Sequence, residues 1–279
     1  MTPSLPLKHV ALILALGASV GAHAQVLNGS FETDAANTLA ITGWNKVGHG
    51  YVATTTNYQD PTQGTKQAVV ATALDGTYNE PAGTGVSGAT AETALGLAAG
   101  RLQGVGNGQV ANVSAIYQTI RLNVGDRLLF SAALLTNQVY NTGDAFSTRP
   151  SEANNDFGFL STSLGSTSSV VKLADMFDGY ASTGSSASAF TTAFRYDSDV
   201  NDPFLGEGPY RSYTYTATAA GDYRIGFGAA NAYTGTNPNG INSALLVDNV
   251  RVVAAVPEPA TIAALGLGLA ALLRRRKAA

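Results

Sequence analysis

The chain has 279 residues and a formal net charge of -3 at pH 7, from 16 Lys and Arg against 19 Asp and Glu. Its two terminal segments, described below, hold five of the cations and one acid, so the body between them carries 11 cations minus 18 acids, or -7. An acidic body argues against nucleic acid as a partner, because nucleic acid is bound mainly through basic patches. The absence of cysteine excludes disulfides, cysteine-ligated zinc and a thiol nucleophile.

The N-terminal residues have the pattern of a secretory signal peptide. Lys8 precedes the apolar stretch 10–16, and Ala22-His23-Ala24 places small residues at the two positions that a signal peptidase requires. An uncleaved membrane anchor is the alternative, although the apolar stretch is short for a membrane span. We predict a signal peptide over residues 1–24, removed by signal peptidase, and a mature chain that begins near Gln25.

Residues 25–255 have the composition of an all-β domain. Gly, Thr and Tyr are abundant, apolar runs are short, and no segment keeps a helical period. The length favours one domain over two. We therefore predict a single antiparallel β-sandwich in which the segments 28–32 and 243–253 are neighbouring strands. The predicted strands, in chain order, are 25–31, 50–55, 67–72, 113–122, 127–136, 156–161, 170–173, 192–196, 211–217, 222–229 and 243–253.

Two tight turns are predicted to close antiparallel hairpins. Asn123-Val124-Gly125-Asp126 and Ala219-Ala220-Gly221-Asp222 each separate two predicted strands, and glycine tolerates the positive φ that such turns often require. Residues 75–108 and 137–188 are rich in small and polar residues and are predicted to be long surface loops. A short helix over residues 91–97 is the exception.

The strand predicted at 222–229 alternates between apolar residues and other types. Its apolar positions fall on one face, and the opposite face carries an arginine and two glycines. This alternation predicts a strand that is buried on one face only. The apolar residues are Tyr223, Ile225 and Phe227, and the others are Arg224, Gly226 and Gly228.

Catalytic residues do not assemble in the sequence. Triad and metal-hydrolase chemistry needs a base, which is usually histidine, and His49 is the only histidine of the body. It lies in Gly48-His49-Gly50 and is predicted to be an exposed loop residue. No G-x-S-x-G motif is present. We predict that the protein is not an enzyme.

The C-terminal residues combine a proline motif, an apolar run and a basic cluster. Because proline lacks an amide donor and restricts φ, a helix can begin only after the motif. The uncharged run 260–273 would reach roughly 21 Å as a helix, short of the roughly 30 Å hydrocarbon core, which suits temporary holding in a membrane. The positive-inside rule keeps the basic end cytoplasmic and the body outside. The motif is Pro257-Glu258-Pro259, and the basic residues are Arg274, Arg275, Arg276 and Lys277.

This tail resembles the PEP-CTERM sorting domain of Gram-negative bacteria. The resemblance implies that residues 256–279 are a sorting tail with a single hydrophobic helix that inserts transiently into the inner membrane. It also implies that an exosortase recognises the tail, cleaves near the motif, and releases or transfers the protein to the cell surface.

The body resembles the galactose-binding-like jelly-roll domains. The opening residues Leu27-Asn28-Gly29-Ser30-Phe31-Glu32, followed by Gly43-Trp44, are similar to the first strand of many such domains. The segment from Leu245 to Val252 contains Val-Asp-Asn-Val, which is similar to their closing strand. Tyr117-Gln118-Thr119-Ile120 and Ser212-Tyr213-Thr214-Tyr215 resemble their internal strands. The resemblance implies a jelly-roll fold over residues 25–255, and it implies no particular ligand.

Two carboxylates are candidates for a metal site. Domains of this family often hold a structural calcium ion between their first and last strands, and Glu32 and Asp248 fall on the matching motifs. Hydrogen bonding at the strand ends is the equally weighted alternative, since buried acids must be paired or metal-bound.

A second acidic group has the alternate spacing of an EF-hand loop but lacks its later ligands, and a solvated turn is favoured there. This group is Asp197, Asp199, Asn201 and Asp202.

Three functions remain open at the level of sequence. The favoured one is an exported structural or interaction protein of the cell surface or extracellular matrix, linked to exopolysaccharide or biofilm. The alternative is a carbohydrate-binding module, because aromatic rings near loops can pack against sugars, although Trp44 is predicted to be a core residue. A secreted hydrolase comes third. The aromatic residues in or near loops are Trp44, Tyr51, Tyr58, Tyr78, Tyr140, Tyr180, Tyr210 and Tyr233.

Overall fold

A computed structural model describes ten stretches of the chain: residues 25–54, 59–76, 80–106, 110–136, 156–175, 179–180, 195–196, 204, 206–232 and 242–255. The predicted signal peptide, the sorting tail from residue 256 and the acidic group at 197–202 lie outside the described residues.

Strands dominate the described residues, as the composition predicts. Fifteen strands and two helices follow one another within these ranges. The strands are β1 (Asn45–Val47), β2 (His49–Thr54), β3 (Lys66–Ala71), β4 (Ala73–Leu74), β5 (Gly83–Thr84), β6 (Val110–Leu122), β7 (Arg127–Thr136), β8 (Phe157–Leu164), β9 (Thr167–Asp175), β10 (Gly179–Tyr180), β11 (Arg195–Tyr196), β12 (Gly206–Glu207), β13 (Arg211–Thr216), β14 (Gly221–Ala232) and β15 (Ser243–Val253). The helices are α1 (Gly88–Leu95) and α2 (Arg101–Gly106).

The strands form two antiparallel sheets that pack face to face. The first sheet has the order β1-β6-β14-β8-β9-β10. The second has the order β11-β12-β7-β15-β3-β2, and β13 also pairs with β7. Strands β4 and β5 form a separate small ribbon. The all-β, antiparallel jelly-roll-type sandwich predicted from the sequence is therefore confirmed.

An aromatic cluster lies between the two sheets. Trp44 is buried there, with its ring centroid 5.7 Å from that of Phe31 and 5.8 Å from that of Phe227. Phe130 meets Phe227 edge to face at 4.8 Å, which is a favoured geometry for aromatic pairs. The indole N–H of Trp44 donates to the carbonyl of Asn28 at 3.3 Å. The prediction that Trp44 is a core residue is confirmed.

Both sheets are also covered on much of their outer faces. Helices α1 and α2 pack on the outer face of the first sheet, with Leu95 and Leu102 fully buried against it. A Cβ atom at Gly226 would lie 2.6 Å from Leu95 Cδ2, and one at Gly228 would lie 2.4 Å from Phe159 Cζ. The glycine face of β14 is therefore a close-packed surface, and the prediction of a strand buried on one face only was wrong.

The two turns predicted to close hairpins instead connect the sheets. Residues 123–126 lead from β6 in the first sheet to β7 in the second, and the segment after β13 leads back to β14 in the first. These two corners are joined by backbone hydrogen bonds of 2.8 Å from Gly125 N to Ala217 O and 2.9 Å from Ala217 N to Asp126 O. Turn residues alone do not encode which strands pair, because pairing depends on the faces that must be buried.

The predicted N-terminal strand, 25–31, is a turn. Asn28 and Phe31 have φ values of 48° and 59°, which place them in the left-handed region. Segment 28–32 does not pair along β15, whose partners are β3 and β7. One backbone hydrogen bond, from Val250 N to Gly29 O at 2.8 Å, connects the turn to β15 where the register of that strand shifts.

The region predicted as a loop at 75–108 contains β5 and both helices. The Ser87 hydroxyl accepts from Thr90 N at the start of α1, and Gly96 ends the helix with a φ of 69°. This helix begins three residues before the predicted one. Among the residues that the structure describes, neither helix is long and apolar enough to cross a membrane.

Candidate functional site

The two carboxylates predicted to bind calcium, Glu32 and Asp248, both accept hydrogen bonds from the turn at residues 62–66, which lies between them. Asp248 is fully buried in β15, and its Oδ2 accepts hydrogen bonds from Thr62 Oγ1 at 2.8 Å and from Gln63 N at 2.7 Å. Its Oδ1 accepts from Asn249 N at 2.6 Å. Burial raises the pKa of Asp248 above its usual value, although these hydrogen bonds oppose the rise.

Glu32 holds the other side of this turn. Its Oε1 accepts from Thr65 N and from Lys66 N, both at 2.7 Å. Its Oε2 accepts from Thr65 Oγ1 at 3.1 Å. Partial desolvation of Glu32 opposes ionisation, but the hydrogen bonds and the charge of Lys66 outweigh it and lower the pKa of the carboxyl.

These contacts match the alternative in which both acids form hydrogen bonds. Calcium needs six to eight oxygen ligands, whereas N–H and O–H donors here occupy the carboxylates of Glu32 and Asp248. In the part of the chain that the structure describes, no three His, Cys, Asp or Glu side chains gather as a metal site would require. The residues present do not fit a shared calcium ion, and calcium binding stays a prediction that chelation would test.

The turn at residues 62–66 and the residues next to it cover the outer face of the second sheet. Gln67 Nε2 donates to Gln59 O at 2.9 Å, and the Tyr210 hydroxyl donates to Gln67 Oε1. Burial, followed by the charge of Asp248, raises the pKa of Tyr210 well above its usual value. Tyr210 also packs against an apolar cluster that includes Tyr51. This part of the molecule is a polar cover over a second core.

The candidate aromatic residues do not form a sugar platform within the described residues. Trp44 and Tyr51 are buried in the two cores, and Tyr210 is partly buried beneath the turn. Tyr58, Tyr78, Tyr140 and Tyr233, together with the side chain of Tyr180, lie outside the described residues.

His49 is buried in β2, so the prediction of an exposed loop histidine was wrong. A Cβ atom at Gly83 would lie 2.0 Å from its Nδ1, and its Nε2 is buried without a hydrogen-bond partner. Burial lowers the pKa of His49 to about 4, with a further contribution from Lys46, while a hydrogen bond to the Pro81 carbonyl opposes the shift. A neutral imidazole enclosed in this way is poorly placed to act as a base on a substrate.

A buried carboxylate that was not predicted from the sequence lies at the point where the chain leaves the sandwich. Asp126 Oδ2 accepts from Asn123 N at 2.8 Å, which organises the corner between β6 and β7. Its Oδ1 accepts from Ala255 N at 2.8 Å. A Cβ atom placed on Gly125 would lie 3.1 Å from the Cβ atom of Ala255, so the two residues are in close contact. Asp126 thus attaches the last described residue to the core. An Asp at the end of an Asn-x-Gly-Asp turn indicates the corner, but not this contact with Ala255.

The residues from Ala255 onward match a known sorting motif. The family described as "PEP-CTERM protein-sorting motif" matches residues 255–277. This range includes Pro257, Glu258 and Pro259 and the basic residues Arg274, Arg275 and Arg276. Curated protein sequences provide no match.

Three solved structures show weak similarity to this chain. One is the carbohydrate-binding module TmCBM61 in complex with β-1,4-galactotriose, with a TM-score of 0.36, 10% identity and coverage of 83% of this chain and 99% of that one. The K2 cleaved adhesin domain of Lys-gingipain has a TM-score of 0.38, 8% identity and coverage of 81% and 97%. The enzymatically active domain of bacteriophage CBA120 tailspike protein 4 has a TM-score of 0.31, 12% identity and coverage of 81% and 21%.

With TM-scores this low, the description of the fold rests on this chain's own strand pairing. The evidence for function comes from the tail, which follows directly after the residue that Asp126 holds. The chain is therefore a jelly-roll-type β-sandwich that carries a PEP-CTERM protein-sorting motif, which implies exosortase processing and indicates an exported protein.

Proposed function

We propose that this protein is a structural or interaction component of the cell surface or extracellular matrix. Signal peptidase removes residues 1–24, and the tail then holds the folded sandwich transiently at the inner membrane. An exosortase separates the domain from the tail and releases or transfers it. The partner that we propose at the surface is exopolysaccharide of a biofilm matrix. The observation that carries the proposal is the sorting motif at residues 255–277.

The position of the motif relative to the fold supports this order of events. Strand β15 ends at Val253, and Asp126 holds Ala255, so only Val256 separates the folded domain from Pro257. The domain can therefore fold completely while the tail is still attached. Cleavage near Pro257 would remove no residue that contributes to the described core.

The side chains of the described residues support a role without catalysis. His49 is enclosed by Gly83, and the carboxylates of Glu32, Asp126 and Asp248 accept hydrogen bonds from the protein's own backbone. General acid–base catalysis requires a group that can reach the substrate. These residues instead stabilise turns and chain ends.

Intact-mass measurement of the exported protein tests the proposal. We expect a product that lacks residues 1–24 and the basic cluster from Arg274 to Lys277. Replacing Pro257, Glu258 and Pro259 together with alanine should leave the chain at the inner membrane, whereas the control Val256→Ala should be processed normally. Exported protein that still carries the basic cluster would contradict the proposal.

A glycan array distinguishes the proposed structural role from the carbohydrate-binding module that the sequence left open. Specific binding to one class of glycan would favour the module. The array should include the intact exopolysaccharide of the source cells and oligosaccharides derived from it, because the module would bind those oligosaccharides, whereas a matrix component is expected to associate with the intact polymer alone. A broad glycosidase and esterase screen tests the third alternative, and we expect no turnover.

A further inference from the structure

The exit of the sorting tail from the sandwich is fixed in space. Asp126 holds Ala255 through a buried carboxylate, and the apolar run starts five positions later, at Ala260. Five extended residues span at most roughly 18 Å. If the run inserts into a membrane, as the proposed function requires, this end of the sandwich must lie within that distance of the membrane surface.

The exposed charges at this end differ from those of the acidic body. Arg127 opens β7, where it pairs in register with Val253, and Arg251 lies four residues before Ala255. Arg121 lies one residue before the end of β6 and forms an exposed ion pair of 3.3 Å with Asp222. Three arginines with exposed side chains thus lie on the strand ends next to the exit of the tail, where the carboxylate of Asp126 is buried and the exposed Asp222 pairs with Arg121.

An apolar side chain projects from the same corner. Val124 is 61% exposed, the highest value among the large apolar residues of the described chain. It lies between Asn123, whose backbone N–H is held by Asp126, and Gly125, which contacts Ala255. The tip of the corner is therefore rigidly connected to the point where the tail leaves.

We infer that the end of the sandwich formed by Arg121, Val124, Arg127 and Arg251, the exit face, docks on an anionic lipid surface while the tail holds the precursor. The inference rests on the membrane-held precursor of the proposed function. Positive side chains within a Debye length of an anionic surface are attracted to it, and an exposed apolar residue can enter the headgroup region. Docking would direct the opposite end of the sandwich away from the membrane.

The expected contribution of each arginine is measurable. An arginine near an anionic surface favours the docked state by roughly fivefold. Replacing both Arg127 and Arg251 with glutamine should therefore lower the ratio of docked to undocked molecules by roughly 25-fold. Asp222→Asn should raise the ratio of docked to undocked molecules, because the substitution removes the acid that pairs with Arg121 and leaves the charge of Arg121 uncompensated.

The absence of cysteine allows a single fluorophore to be placed cleanly. The full chain with Val124→Cys, labelled with a fluorophore, is reconstituted from detergent into vesicles that contain lipids with nitroxide-labelled headgroups. The matched control is Ala89→Cys, an exposed position near the start of α1, whose neighbour Gly88 lies against Val110 at the other end of β6. Vesicles of phosphatidylcholine mixed with phosphatidylglycerol are compared with vesicles of phosphatidylcholine alone.

We expect strong quenching of the label at position 124 in the mixed vesicles, weaker quenching in phosphatidylcholine, and little quenching at position 89 in either. The glutamine variants and added salt should reduce the quenching at position 124. Equal quenching at the two positions, or quenching that does not depend on phosphatidylglycerol, would overturn the inference alone. Full chain that fails to float with vesicles in a density gradient would overturn both the inference and the membrane-held precursor.

Discussion

Acidification should destabilise the sandwich through His49. This imidazole is 4% exposed and packs against Gly83, and its buried Nε2 has no hydrogen-bond partner, so the N–H formed by adding a second proton there would lack an acceptor. Lys46 lies close enough to lower the pKa further, and the ring of Tyr51 packs beside it at 5.7 Å. The folded protein therefore accommodates the neutral imidazole far better than the charged one.

The direction and size of the effect follow from the difference between the folded and unfolded pKa values of His49. On acidification the unfolded chain binds a proton near pH 6.5, whereas the folded chain binds it only near pH 4. The stabilising contribution is therefore fully present above pH 6.5 and is lost as the pH falls toward 4. Over this window the contribution of His49 to the free energy of unfolding should fall by about 3 kcal/mol, a large share of the 5–15 kcal/mol typical of a domain.

Urea denaturation of wild type and His49→Gln across this pH window provides the measurement. The variant removes the titrating group, so the free energy of unfolding should depend less on pH by about 3 kcal/mol. Titration of Asp248, whose raised pKa acts in the opposite direction, contributes equally to both proteins and cancels in the comparison. Parallel pH profiles for wild type and His49→Gln would refute the argument.

Three further predictions concern stability. Gly228→Ala should lower the free energy of unfolding by about 1–3 kcal/mol, because a Cβ atom there would lie 2.5 Å from the carbonyl oxygen of Ser114. The control Gly104→Ala has open space around it in α2 and should raise the free energy of unfolding by about 0.5–1 kcal/mol. Equal effects of the two substitutions in urea denaturation would contradict this prediction. Asp248→Asn should lower the melting temperature by leaving Gln63 N poorly paired, and a chelator should leave the wild-type melting temperature unchanged. A wild-type melting temperature that falls on chelation would instead show a bound metal ion. Asp126→Ala should remove the hydrogen-exchange protection of the Ala255 amide while distant strands keep theirs.

Local sequence was sufficient to predict most of the strands. Strands β7 and β15 have the predicted bounds, and β3 and β13 differ from theirs by one residue at the ends. In these segments β-branched, aromatic and other apolar residues form short runs between turn residues, so the local preference and the tertiary structure agree.

The pairing of those strands was not predictable from neighbouring residues. The Asn-Val-Gly-Asp turn at 123–126 has the composition of a hairpin, yet β6 and β7 belong to different sheets. Each of these strands buries one face in the central core and the other against a separate cover, namely α1 and α2 for β6 and residues near Tyr210 for β7. Those covers are formed by residues far away in the chain, so no local signal indicates them.

In the candidate site, too, local motifs identified the residues, whereas their contacts depended on the tertiary structure. Glu32 and Asp248 were identified from their motifs, and the alternative role in hydrogen bonds was also stated from sequence. Their common target, the turn at residues 62–66, was not foreseen, because Gln63 and Asp248 are 185 positions apart. His49 was misplaced for a related reason: glycines on both sides indicate a loop, but the ribbon containing Gly83 covers the ring.

The sequence by itself determined where the protein is directed and what it cannot contain. The sorting motif at residues 255–277 is a contiguous stretch whose chemistry does not depend on the rest of the fold, and a chain without cysteine has no disulfides. Only the tertiary structure decided that Asp126 holds Ala255, 129 positions away, and that three arginines lie on the strand ends next to the exit of the tail. Such contacts arise when two sheets close over a common core, because burial of apolar faces brings together residues that have no local relation.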